Sequence, residues 1–437
     1  MKPPKLVIRI DRGRIKAEAN DVSDDDGTPA NATTYERDLT SEPLSKATID
    51  AFVSWVEEET PRLREAGDFS LFGWHLWEFL FCGEIAEAFA MQMGIARSTR
   101  TPMRLELWID PAESPAIARV PWEFLYCPPR GGVRDGFFLA THTALTFSRT
   151  FAAPSAGRDV RITEPPRILI ITSCPVGFER VVWRPAVEGI TGAIAGRLAG
   201  ARAGDAQVAP TVRVVHDPKD AAALCDALSW RPHVVQFIGH GHQDGNLGRL
   251  AMLADDPVWV SGKQLVNLMD TAAPGHRPRL VVLHACDGAR IARAGGLSPK
   301  LGFGAVAPTL LAEDIPAVVA MQYEIDQASA IDFSVKLYAD LLANRPIHQA
   351  VQLARLNLLS LHSNAPRAFG TPVLYASGGD GVLFAAAAPQ SVSRAPSVSR
   401  PASPQDAAPR ADAAKPAAAA ESAPFTAAGM EPRGGGG

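Results

Sequence analysis

Val234-Val235-Gln236-Phe237-Ile238-Gly239-His240-Gly241-His242 and Leu280-Val281-Val282-Leu283-His284-Ala285-Cys286-Asp287-Gly288 are the stretches whose reading decides the fold. Each opens as a continuous apolar, β-branched run, the pattern of a strand buried on both faces of a parallel sheet. Each then breaks into polar, reactive side chains. Residues just past the carboxyl ends of such strands line the crevice where open α/β sheets bind ligands. A histidine and a cysteine delivered to one rim by two strands form a candidate base and nucleophile.

Outward from these strands the chain alternates between strand and helix patterns. Strands are expected at 167–172, 212–215, 317–321, 373–375 and 382–384, with a hairpin arm at 248–253. Helices are expected at 186–198, 221–228, 261–269 with Ser261 as N-cap, 305–311, 327–342 and 347–359. That rhythm predicts an α/β fold, a mostly parallel sheet with right-handed crossovers and helices on both faces. A smaller α+β lobe is expected before it, at 46–150. Within that lobe Ile49, Phe52, Val53, Trp55 and Val56 pattern an amphipathic helix over 45–64, and 74–93 reads as a second, more buried helix. Residues 104–109 and 137–147 are strand material, and Pro121-Trp122-Glu123-Phe124-Leu125-Tyr126 is a strand or a helical turn. Residues 1–45 form an extension with one strand at 5–10 and a polar, turn-rich loop. Residues 151–166 are the expected linker, 167–385 the main domain, and 386–437 an Ala/Pro/Ser/Gly-rich tail too poor in apolar residues to fold.

With 437 residues, 46% hydrophobic, 21% charged and a formal net charge of −4, the composition is that of a soluble protein. No basic surplus argues for direct nucleic-acid binding. The start lacks the apolar core of a signal peptide and no run is long enough to span a membrane, so the expected location is the cytoplasm. Cys82, Cys127, Cys174, Cys225 and Cys286 are odd in number, widely spread and without CxxC spacing, which argues against a disulfide framework or zinc ribbon.

Cysteine catalysis needs a thiolate or an assisting base, and donors for the developing oxyanion. Gly239 and Gly241 flank His240 without side chains, so the chain is expected to turn sharply there and let the Gly241 N–H approach a substrate carbonyl. The Cys286 N–H is the second candidate donor. In this scheme Cys286 attacks the carbonyl, His240 protonates the departing amine, and water hydrolyses the acyl-enzyme. Metal binding competes as a reading, because His240, His242, His284 and Cys286 are all zinc-ligand types. It is the less favoured of the two readings.

Phe237-Ile238-Gly239-His240-Gly241 and Leu283-His284-Ala285-Cys286, with Pro121-Trp122-Glu123-Phe124-Leu125 upstream, resemble the CHAT domain of caspase-like cysteine peptidases. Val306-Ala307-Pro308-Thr309-Leu310-Leu311 and Ile315-Pro316-Ala317-Val318-Val319-Ala320-Met321-Gln322 extend the match, which covers about 71–384. The resemblance implies a caspase-like fold, catalytic His240 and Cys286, a protein substrate and no cofactor or metal. CHAT sequences more commonly carry Asn or Ser where His284 stands, and an acidic plus small polar pair where Asp287-Gly288 stands. In caspase-like folds the pocket before the scissile bond would be lined here by 173–176, His284 and 322–326. Asp287, Glu324 and Asp326 then make an acidic neighbourhood suited to a substrate Arg or Lys. The loop 287–302 is a candidate activation loop. The resemblance further implies a bacterial regulatory or defence role, and an activator or sensor protein is expected to complete the site. The alternative is a catalytically silent scaffold that binds a partner through its groove.

Overall fold

The computed structural model describes residues 3–11, 14–20, 32–38, 66–111, 113–129, 135–151, 161–162, 164–178, 181–199, 210–244, 247–252, 258–286, 306–323, 325–362, 365–377 and 379–384. The expected helix at 45–64, the loop at 21–29, the activation loop at 287–302 and the tail at 386–437 lie outside them, as do Asp287 and Glu324.

The chain begins with β1 (Lys5–Asp11), β2 (Arg14–Asn20) and β3 (Ala32–Asp38), followed by α1 (Ala66–Leu80), α2 (Glu84–Thr99) and β4 (Met103–Ile109). A short helix α3 (Pro115–Ala118), a 3-10 turn at Trp122–Phe124, the two-residue strands β5 (Tyr126–Cys127) and β6 (Phe137–Phe138), and β7 (Leu145–Thr150) complete the first part. The single helix expected over 74–93 is two helices meeting at 110°. Gly83, at φ 52°, supplies the left-handed backbone that breaks it. No single helix among the described residues is long and apolar enough to cross a membrane.

The second part runs β8 (Arg167–Ser173), α4 (Arg184–Ala199), β9 (Thr211–His216), α5 (Ala221–Ser229) and β10 (Val234–Asp244). An arm of β11 (Leu247–Met252) and β12 (Val258–Ser261) leads to α6 (Gly262–Ala272), where Ser261 and Gln264 form a complete capping box. Then come β13 (Leu280–Cys286), α7 (Val306–Ala312), β14 (Ala317–Met321), α8 (Gln327–Leu342), α9 (Ile347–Leu361) and β15 (Pro372–Ala376).

Thirteen of the described strands join one mostly parallel sheet. This is the expected α/β architecture, with helices on both faces. Along the path β9-β8-β10-β13-β14-β15-β7-β4-β1-β2-β3, the α+β elements that precede the main domain extend its sheet through β7 beside β15. A parallel bridge between Ile162 and Phe384 ties the linker to the end of the described chain.

Strand alternation divides the core. Val234, Ile238, Leu280 and Val282 pack with α4, α8 and α9, whereas Val235, Phe237, Val281 and Leu283 pack with α5, α6 and α7. Both faces of the central strands are therefore buried, which is why their sequences read as nearly continuous apolar runs, Gln236 excepted, rather than as alternation.

Candidate active site

The strand order reverses beside β10. From β8 the chain steps outward to β9, then returns to lay β10 on the other side of β8 and continues to β13. Such a switch point opens a crevice at the carboxyl ends of the strands. The last parallel pairs on β10 are Gly239 with Ser173 on one side, and His240 with Cys286 on the other. Gly241 then pairs with Leu250 in the antiparallel arm. His240 thus occupies the branch where the parallel sheet ends and the arm begins.

The sharp turn expected at Gly239 is absent, because β10 continues through to Asp244. The glycine serves a different need. A Cβ at 239 would stand 2.7 Å from the Ser173 carbonyl oxygen and 2.7 Å from the Phe237 ring, so the bare Cα permits close strand packing. His242 sits in the antiparallel arm opposite Arg249.

His240 is 2% exposed. Its ring lies against Phe178, centroid to centroid 5.2 Å at a 34° tilt. Phe178 follows β8 on a turn where Gly177 adopts φ 90°, and the Cys174 N–H donates to Asp217 Oδ1 at 2.7 Å at the start of that segment. Trp259 of β12 meets Phe178 edge-on at 5.4 Å. Neither aromatic was singled out in the sequence; the available signals were an apolar ring in the turn-rich connection after β8 and a tryptophan between two valines, Val258-Trp259-Val260.

His284 lies below the rim, 4% exposed, with its Nδ1 3.5 Å from Ser334 Oγ of α8. Burial lowers its pKa to about 4, so the imidazole is neutral at physiological pH. Asp326 is exposed and caps α8, accepting from the Ser329 N–H at 2.9 Å. Partial desolvation presses its carboxyl upward, but hydrogen bonds from Ser329, aided by nearby His362, outweigh this and hold it below the usual range. Of the expected substrate-binding residues, His284 and Asp326 therefore both engage α8, one beneath the sheet end and one at the helix start.

The segment after β14 has an anchor that sequence reading missed. Gln322 donates its side-chain amide to Glu123 Oε2 at 2.9 Å and to the Gly370 carbonyl at 2.6 Å, and accepts from Arg149 at 3.2 Å. Glu123, fully buried, also receives a two-pronged contact from Arg149 Nε, at 3.0 Å, and Nη2. Arg355, also fully buried, stands 3.8 Å from the same carboxylate and donates to the carbonyls of Phe147 and Pro372. Burial pulls the Arg355 guanidinium down to about 10 against the pull of Glu123. The signal was present as single charges inside apolar runs: Glu123 in Trp122-Glu123-Phe124, and Arg355 between Ala354 and Leu356.

A family model described as the CHAT domain matches residues 75–413. The chain belongs to the CHAT domain family. No curated protein matches it. Solved structures similar to this CHAT chain include gingipain R, titled an Arg-specific cysteine proteinase, at 12% identity and TM-score 0.41, covering 78% of this chain and 76% of that one. Another is the Saccharomyces cerevisiae separase–securin complex, at 16% identity and TM-score 0.33, covering 63% of this chain and 16% of that one. In the CHAT chain described here, the two family motifs end on neighbouring strands, in register.

Proposed function

We propose that this chain is a cysteine endopeptidase in which Cys286 is the nucleophile and His240 its acid–base partner. The observation that carries the reading is the pairing of His240 with Cys286 at the carboxyl ends of β10 and β13, beside the switch point. Residues 234, 236, 238 and 240 fall on one face of β10 by alternation, and 280, 282 and 284 on the matching face of β13.

The thiolate of Cys286 adds to the scissile carbonyl, with the proton held by His240. The backbone N–H groups of Gly241 and Cys286 are the donors for the oxyanion. Collapse of the tetrahedral intermediate breaks the C–N bond, and His240 gives its proton to the amine. Water, deprotonated by His240, then releases the acyl group and restores the thiol. None of these steps requires a cofactor.

The substrate is a specific protein partner cut after a basic residue. Support for that preference comes from Asp326, an exposed carboxylate held in its charged form at the end of the segment after β14. Asp287 and Glu324 are the other acids of this reading. Cleavage is under the control of an activator, in a bacterial regulatory or defence setting.

A thiol-reactive peptide probe with Arg at its recognition position tests the reading. Labelling of Cys286 that depends on His240 is the expected result. Equal labelling of all five cysteines, indifferent to His240, would instead assign the chain as a silent scaffold.

A further inference from the structure

β14 lies beside β13 in parallel, with Val281 opposite Val318, Val282 opposite Val319 and Leu283 opposite Ala320. Carried forward two residues, that register sets Gln322 level with Ala285, one step short of Cys286. The chain that leaves β14 therefore starts at the rim beside the proposed nucleophile, and it is held at both ends. At the far end Asp326 caps α8 through the Ser329 N–H, and Ile325 before it is buried. At the near end the Gln322 backbone N–H donates to the Thr371 carbonyl at 2.9 Å. Both amide protons of its side chain are spent on Glu123 and Gly370, and its side-chain oxygen accepts from Arg149. The turn that carries Glu123 packs against the same corner: Phe124 lies edge-on to Phe369 at 5.2 Å, and a Cβ at Gly370 would run into the Phe124 ring. Arg149 and Arg355 hold the Glu123 carboxylate in turn. Replacing such a buried ionic cluster with apolar groups often costs a protein no stability. The fold alone therefore does not call for it, whereas a fixed side-chain amide beside the rim does.

We propose that Glu123 and Gln322 are positioning residues for substrate recognition: Glu123 holds Gln322, and Gln322 sets where Tyr323 begins its course along the rim beside Cys286. The inference rests on the peptidase reading. To that reading it adds that a turn remote in sequence shapes the wall receiving the residue before the scissile bond. Neither residue takes part in bond making. Their effect falls on the affinity for substrate, while the chemistry at Cys286 is left to His240.

The test compares the full chain with Gln322→Leu, which removes the link and leaves Glu123 paired with Arg149 and Arg355. Saturation kinetics of Cys286 labelling by the Arg peptide probe separate affinity from maximal rate, and iodoacetamide, which needs no recognition, reports on the thiol itself. Gln322→Leu should raise the half-saturating probe concentration roughly tenfold, the scale of one lost hydrogen bond to a charged group. The maximal rate and the iodoacetamide rate should stay within about twofold of the wild type, the pattern of lost binding rather than lost chemistry. Amide hydrogen exchange should quicken in the peptide that covers Tyr323 and Ile325 and stay unchanged in the one that covers Val234–Ile238. Melting curves verify folding, and Gln322→Asn, whose shorter amide falls short of Glu123, replaces Gln322→Leu if the latter is unfolded. Unaltered half-saturation or unaltered exchange in a folded variant, or a loss confined to the maximal rate, overturns the positioning role and leaves the peptidase reading standing. Absence of His240-dependent labelling of Cys286 in the wild type, alone and with the proteins that co-purify with it, overturns both.

Discussion

Gln322 donates to Glu123 across 2.9 Å, joining the first residue after β14 to a turn 199 positions earlier in the chain. Two buried guanidinium groups, Arg149 and Arg355, draw on the same carboxylate. Glu123→Gln leaves both without a compensating charge. Urea denaturation should show a loss of about 3–5 kcal/mol, the usual result of removing one partner from a buried ionic cluster. The double variant Glu123→Leu/Arg149→Met should lose less than the sum of its two single changes, because each single change strands a charge that the pair removes together.

At the proposed dyad, His240→Ala should slow acylation of Cys286 by roughly 10²–10⁴-fold, the range for a lost general base. Cys286→Ala should abolish it. Stopped-flow or mass-resolved labelling by the peptide probe measures the rate, and an unaltered rate in folded His240→Ala would assign the histidine a packing role.

Acid should destabilise the fold through His284. Its pKa is about 4 in the folded state and 6.5 ordinarily, so the native state binds fewer protons than the unfolded chain between those values. The stabilisation is complete above 6.5, declines as pH falls towards 4 and levels off below. This residue alone accounts for about 3 kcal/mol over that window. His348, lowered by burial and by the nearby charges of Arg104 and Lys5, acts in the same direction. Denaturation midpoints at pH 7 and pH 4.5 should differ less in His284→Asn than in the wild type.

Two helical glycines should respond oppositely to alanine. At Gly73 a Cβ would stand 1.9 Å from the Phe124 carbonyl oxygen, so Gly73→Ala must displace α1 from the turn that holds Glu123. At Gly94 nothing lies within 4 Å, and the residue is exposed. Thermal melts should show Gly94→Ala gaining about 0.5–1 kcal/mol and Gly73→Ala losing about 1–3 kcal/mol.

The central strands were legible because burial on both faces makes Val234–Ile238, Leu280–Leu283 and Ala317–Met321 almost wholly apolar, with the buried Gln236 accepting from the Tyr338 hydroxyl. Helix starts were legible where a side chain closes the first turn, as at Ser261. The path of β10 beyond Ile238 was not, since a glycine that relieves contact with a neighbouring strand and one that turns the chain look the same in sequence. The break at Gly83 was hidden by apolar residues on both sides of it. Longer-range relations left only faint marks: a lone glutamate between two aromatics gives no indication of which arginines it will meet, and the Phe178–Trp259 contact joins a turn and a strand that are distant in the chain.

The pairing of β7 with β15 has a practical consequence for anyone who would cut this protein at the Pro166 boundary. A fragment beginning there would keep every residue of the proposed dyad, yet it would present β15 as a raw, apolar border. It would also leave Arg355 facing the gap vacated by Glu123 and the Phe147 carbonyl. Such borders recruit strands from other chains. The early strands are therefore the selvedge of the fabric, and the smallest piece that can be expressed without fraying includes them.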